Sequence, residues 1–233
     1  MKRRTNILTL GGPIALALFG TSLAGPLEDG EAAFQHHDYA TALQILRPLA
    51  EQGNAGAQIN LGLMYAYGAG IPQDFAQARV WYRKAADQGY AEAQIYVGGT
   101  YAGGLGVPRD DAQAVVWYQK AADQGNAEAQ TYLGDAYRDG RGVPQTYEKA
   151  LIWYRKAANQ GNAEAQTYLG WMYEEGAGAP KDYVRAHMWF NLAASRAEFH
   201  NQAANSRDEL AAKMTPAQIA EAQRLASEWK PTK

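Results

Sequence analysis

Acidic side chains are the first place to look for chemistry in this sequence. Asp135 and Asp139 are one helical turn apart and so share a helix face, and Glu174 and Glu175 form a second acidic pair. Paired carboxylates can serve as general acid and base or hold a weakly bound divalent cation. Glycoside cleavage needs them at a fixed separation across a closed cleft, whereas these fall on an open helical surface. A hydrolase using Asp135 and Glu175 is therefore the remote reading. His36, His37, His187 and His200 do not form a metal-ligand spacing. Beyond residue 24 the serines are Ser195, Ser206 and Ser227, and none lies in G-x-S-x-G or S-x-x-K. The chain has no cysteine, which removes thiolate nucleophiles and ligands. The sequence is read as non-catalytic, with no metal and no cofactor.

The loop "GRGVPQ", Gly140 to Gln145, has the glycines of a phosphate cradle. A phosphate loop would need a preceding strand, and a Lys-Ser/Thr pair in the Walker type; neither is present. The same loop recurs as "GAGIPQ" from Gly68, "GLGVPR" from Gly104 and "GAGAPK" from Gly176, each 36 residues after the last. Glycine supplies backbone angles that other residues resist and proline cannot continue a helix, so each copy predicts a wide corner between antiparallel helices.

That period organises the chain. Ala55, Ala91, Ala127 and Ala163 each occupy position 1 of a unit. In the third unit a first helix is predicted over Ala127–Asp139, burying Leu133 and Ala136. A second is predicted over Tyr147–Gln160, with Ala150, Trp153, Tyr154, Ala157 and Ala158 forming an apolar stripe. Position 8 is glycine in every unit, Gly62, Gly98, Gly134 and Gly170, where a missing β-carbon would admit a neighbouring helix. The aromatic pairs Trp81-Tyr82, Trp117-Tyr118, Trp153-Tyr154 and Trp189-Phe190 are assigned to the core rather than to a ligand cage.

The pattern "AEAQ-LG-MY-G-GVPQDY-KA-WYRKAA-QGN" resembles the Sel1-like repeat, a relative of the tetratricopeptide repeat. The resemblance implies an all-α, right-handed α-solenoid of antiparallel helix pairs, with the first helix of each pair lining the concave face. Residues 55–90, 91–126, 127–162 and 163–198 are read as its four units. "HHDYATALQILRPLAEQGN", His36–Asn54, looks like a tetratricopeptide half-unit, so residues 25–54 are expected to cap the N-terminal end. Residues 199–233 are expected to supply C-terminal capping helices, about Gln202–Lys213 and Pro216–Trp229, because an open solenoid end exposes the stripe each unit offers to the next.

If position 7 points inward, 100° per residue puts positions 2, 5, 9, 12 and 13 opposite, with 6 at the edge. Several of those positions vary. The expected partner-binding set is Tyr67, Tyr96, Tyr132, Asp135, Arg138, Asp139, Tyr168, Trp171, Glu174 and Glu175, with Trp171 as an exposed hot spot. Arg138 and Glu174 have a plainer reading as an ion pair between units. The function expected is a scaffold, adaptor or regulator binding a protein or peptide in the groove. A glycan of the cell wall or an exopolysaccharide, stacked on the aromatic rings, is the alternative.

Lys2, Arg3 and Arg4, the apolar run Ile7–Phe19, and Ser22 with Ala24 read as a signal peptide over residues 1–24. The run is short of the ~20 residues needed to span a bilayer. Export to the periplasm or beyond, with a partner in the cell envelope, is expected. Residues 1–24 carry three basic and no acidic side chains, so their removal takes the formal charge from −2 to −5. That balance argues against nucleic acid as a partner.

Overall fold

The computed structural model of the chain describes residues 25–196 and 200–232. The expected signal segment, 1–24, lies outside the described residues. Twelve helices and no strand occur among those described. They are α1 Pro26–Gln35, α2 Tyr39–Glu51, α3 Ala55–Tyr67, α4 Phe75–Asp87, α5 Ala91–Gly103 and α6 Asp111–Asp123, followed by α7 Ala127–Asp139, α8 Tyr147–Asn159, α9 Ala163–Glu175, α10 Tyr183–Ala194, α11 His200–Ala211 and α12 Pro216–Glu228. From α1 to α11 each helix packs on the next in sequence, and α10 also receives α12. The result is an all-α solenoid of stacked hairpins.

The corner is set by the backbone angles that its glycines permit. Gly68, Gly104, Gly140 and Gly176 end the first helices with φ between 66° and 76°, the left-handed region that suits a C-terminal cap. The second glycine has a different task. At Gly106, Gly142 and Gly178 a β-carbon would fall inside the backbone at the start of the preceding unit's second helix. The loop is a contact between units as well as a turn. It closes where the N–H of Thr146 reaches the carbonyl of Tyr137 at 2.9 Å, with equivalent bonds from Asp74, Asp110 and Asp182.

Inside each hairpin the glycine at position 8 faces the ring of the second helix. A β-carbon on Gly134 would stand 2.5 Å from Tyr154, and Gly62, Gly98 and Gly170 face Tyr82, Tyr118 and Phe190 in the same way. These four rings are buried. Of the tryptophans assigned to the core, Trp117 and Trp189 are buried but Trp81 and Trp153 are only half-buried. Their outer faces are covered by the ammonium groups of Lys84 and Lys156, 3.7 and 4.0 Å from the ring centres.

Between hairpins runs a ladder of buried glutamines at position 4. The amide nitrogens of Gln58, Gln94, Gln130 and Gln166 donate to the carbonyls of Ala50, Ala86, Ala122 and Ala158 in the preceding second helix. The side-chain oxygens of the first three accept from Gln88, Gln124 and Gln160 at 2.8–2.9 Å. Each glutamine joins its own hairpin to the one before, and its polar atoms are satisfied in a place where an unpaired amide is costly.

The C-terminal helices cover the last hairpin. Leu210 of α11 is fully buried, and Trp229 packs edge-on against Trp189 at 6.3 Å. Lys213 pairs with Glu174 at 2.9 Å, and the N–H of Thr232 reaches back to the carbonyl of Asn159. In this terminal unit Leu192 stands where the others have a capping lysine, so the cap takes over the covering of the tryptophan.

Asn54, Asn126 and Asn162 cap their helices by accepting a backbone N–H, whereas Tyr90 occupies the same place without such a bond. Tyr90→Asn should therefore stabilise the chain by about 1 kcal/mol, read as a ~2–4 °C rise in Tm. His187 is buried between the last hairpin and the cap, and its Nδ1 has no hydrogen-bond partner. Burial, aided by Arg207 and opposed by Asp208, holds its pKa below the ordinary 6.5. The unfolded chain then binds the proton more readily than the folded one, so this contribution is intact above about pH 6.5 and is lost as pH falls through the folded value. Unfolding free energies from urea titrations between pH 7 and 5 should fall for the wild type with a slope of at most ~1.4 kcal/mol per pH unit from this group, and less steeply for His187→Leu, which copies Leu151.

Candidate functional site: the concave groove

The first helices are buried over most of their circumference, which leaves a narrow arc facing the groove. Position 5 is not part of that arc. Ile59, Ile95, Thr131 and Thr167 are all buried, because each first helix is gripped by its own second helix and by the second helix of the preceding unit. A single-helix wheel does not contain the second grip. Positions 2, 6, 9, 12 and 13 supply the groove.

The position 6 tyrosines lie flat against the ring of the preceding unit. Tyr96 stacks on Tyr82 at 4.8 Å, Tyr132 meets Tyr118 at 4.9 Å, and Tyr168 stacks on Tyr154 at 5.1 Å. Their hydroxyls face the groove, where Tyr96 donates to Glu92 and Tyr132 to Glu128. Burial and these carboxylates push the Tyr96 hydroxyl up to about 12, so it is a donor at any physiological pH.

The expected binding residues separate into three neighbourhoods. Tyr67, 74% exposed, stands at the mouth of an apolar hollow of ≈ 350 Å³ whose lining includes Leu63, Phe75, Ile95, Tyr96 and Tyr132. Asp135, Arg138 and Asp139 form a polar node in the middle. Trp171, Glu174 and Glu175 lie at the C-terminal end.

The middle node is an internal network. Asp135 is buried, accepts the Tyr154 hydroxyl at 2.7 Å and pairs with Arg138 at 3.0 Å. Arg138 also pairs with Asp139 at 2.7 Å and lays its guanidinium over the Tyr168 ring at 4.4 Å. Burial raises the Asp135 pKa, against the pull of the Tyr154 hydroxyl and Arg138, while Arg138 lowers that of Asp139. Arg138 thus bridges the two aspartates that might have served as a carboxylate pair. The Arg138–Glu174 ion pair does not form, since Glu174 is taken by Lys213 of the cap.

Trp171 is half-buried rather than displayed. Its indole N–H donates to Ser206 of α11 at 3.2 Å, and its ring meets Tyr168 and Phe190 edge-on. The cap, which the repeat pattern does not describe, covers the ring. Glu175 remains exposed.

Residues outside the expected set also face the groove. Glu92, Glu128 and Glu164 occupy position 2 of three consecutive units. Tyr96 interacts with both Glu92 and Glu128, and Tyr132 with both Glu128 and Glu164, so the three form one continuous row. The signal was present in the repeated "AEAQ", whose regularity disguised it as framework. Among the described residues no group of three or more His, Cys, Asp or Glu is placed to hold a metal ion, and no helix is long and apolar enough to cross a membrane.

A stack of helical hairpins with an open, aromatic-lined inner wall defines an α-solenoid of the kind that recognises other molecules by surface contact. A sequence model of the Sel1 repeat matches residues 55–90, 91–126, 127–162 and 163–197, and the chain belongs to that family. Its fold is similar to a Sel1 repeat protein from Oxalobacter formigenes, with 30% identity over 88% of this chain and 83% of that one and a TM-score of 0.74. It is also similar to a protective antigen of uropathogenic Escherichia coli displaying an SLR fold, with 34% identity, a TM-score of 0.70, 88% of this chain covered and half of that one. An immunity protein from Pseudomonas aeruginosa shares the fold at 22% identity and a TM-score of 0.51, over 85% of this chain and 81% of that one. No curated protein matches the sequence. Sel1 repeat solenoids are typically non-catalytic scaffolds for protein–protein interaction.

The middle node makes a clear stability prediction. Tyr154→Phe leaves the Asp135 carboxylate without its buried donor and should cost about 1–3 kcal/mol in chemical denaturation. Phe190, the natural counterpart, faces Trp171 rather than an aspartate, so Phe190→Tyr should bring no comparable gain.

Proposed function

We propose that this protein is exported and acts without bond-making, as a scaffold, adaptor or regulator that holds a protein or peptide segment in its concave groove. The observation that carries this reading is Tyr67 at the mouth of the apolar hollow. An exposed aromatic ring beside a concave apolar surface is the usual form of an interaction hot spot. Tyr96 and Tyr132 extend that surface, while Arg138, Asp139, Tyr168 and Glu175 offer polar contacts further along. Trp171 and Glu174 contribute only the edges that the cap leaves free. Family membership supports the protein-binding part of the reading. The basic and apolar N-terminal segment supports export, and with it a partner in the cell envelope.

The test is covalent capture in cells. A photocrosslinking residue placed at Gly99, on the floor of the groove, should trap a discrete envelope partner from wild-type protein, and Tyr67→Ala should abolish most of that adduct. Equal trapping by both would remove the groove from the account. Trapping of glycan fragments in place of a polypeptide would transfer the same surface to carbohydrate recognition. Intact-mass analysis of the exported form should show residues 1–24 missing.

A further inference from the structure

The groove has two unlike components side by side, and together they define the chemistry of what fits. One is the apolar hollow between the first two repeats, bounded by Leu63, Tyr67, Phe75, Ile95 and Tyr96. At ≈ 350 Å³ it lies at the low end of the ~300–1,000 Å³ typical of small-ligand sites, enough for one large side chain. The other is the row Glu92, Glu128 and Glu164. Many acidic side chains of this protein are neutralised internally, as Asp87 is by Arg83 and Glu174 by Lys213. Among the described residues no lysine or arginine forms an ion pair with Glu92 or Glu128, while Arg138 offsets part of the charge of Glu164. The groups placed against Glu92 and Glu128 are tyrosine hydroxyls, which orient a carboxylate without cancelling its charge. Glu128 itself borders the apolar hollow.

Resting on the proposed groove-binding role, we infer that the partner segment is an extended peptide carrying one large apolar or aromatic side chain for the hollow and lysines or arginines for the glutamate row. The hollow lies at the N-terminal half of the solenoid, so the apolar anchor belongs there and the basic side chains lie along the glutamate row. A negatively charged segment would meet the unpaired carboxylates of Glu92 and Glu128 and be rejected.

A display selection from random peptides tests this on the full chain. Wild-type protein should enrich sequences combining an aromatic or large aliphatic residue with Lys or Arg. Affinities of the selected peptides should fall by about tenfold or more for Glu92→Lys/Glu128→Lys and weaken with salt, and Tyr67→Ala should lose them. The glutamates and Tyr67 are exposed or project from the framework, and thermal melts matching the wild type would show the variants folded. Enrichment of uncharged or acidic sequences that still depend on Tyr67 would overturn the basic partner and leave the groove-binding role intact. Selection that is indifferent to Tyr67, or that yields nothing, would overturn both.

Discussion

A ring packed against a glycine closes each hairpin, and the rest of the molecule is arranged around that contact. With hydrogen in place of a β-carbon at Gly62, Gly98, Gly134 and Gly170, the two helices approach until Tyr82, Tyr118, Tyr154 or Phe190 touches backbone. Glycine inside a helix carries a cost of about 1 kcal/mol relative to alanine. Here it is offset by burial of a whole aromatic side chain, on the order of 3 kcal/mol. In the first three units the same ring also meets the tyrosine of the next unit, so it contributes both to the width of the hairpin and to the spacing of the stack.

The stacking decides what is left over for recognition. Gripped by two second helices, each first helix offers the groove only a strip, and the buried glutamines fix how far that strip turns from one unit to the next. Because many framework positions repeat closely, the larger differences between first helices fall in the strip. The N-terminal half has Leu63, Gly99 and Tyr67 and forms a hollow. The third unit puts Asp135 and Arg138 there and fills its own space with an ion-pair network. The fourth puts Trp171 there, and the capping helices claim most of it. One helix position therefore lines an open hollow, serves as an internal strut or gives a docking point for the cap, according to which neighbour meets it.

The period, the hairpin, the corner and the need for caps were legible in the residues alone. Each depends on interactions within one unit or with an identical neighbour: glycines that permit left-handed backbone, apolar residues at helical spacing, and aromatic residues too large to leave exposed four times over. A good part of the groove was legible for the same reason, since Tyr67, Tyr96, Tyr132 and Tyr168 follow from helix phase. Packing between elements is what buries position 5, gives Trp171 to the cap, brings Glu174 to Lys213 and sets Glu92, Glu128 and Glu164 in one row. Those outcomes depend on which second surface closes over a side chain, and a helix wheel drawn for one helix contains no such surface.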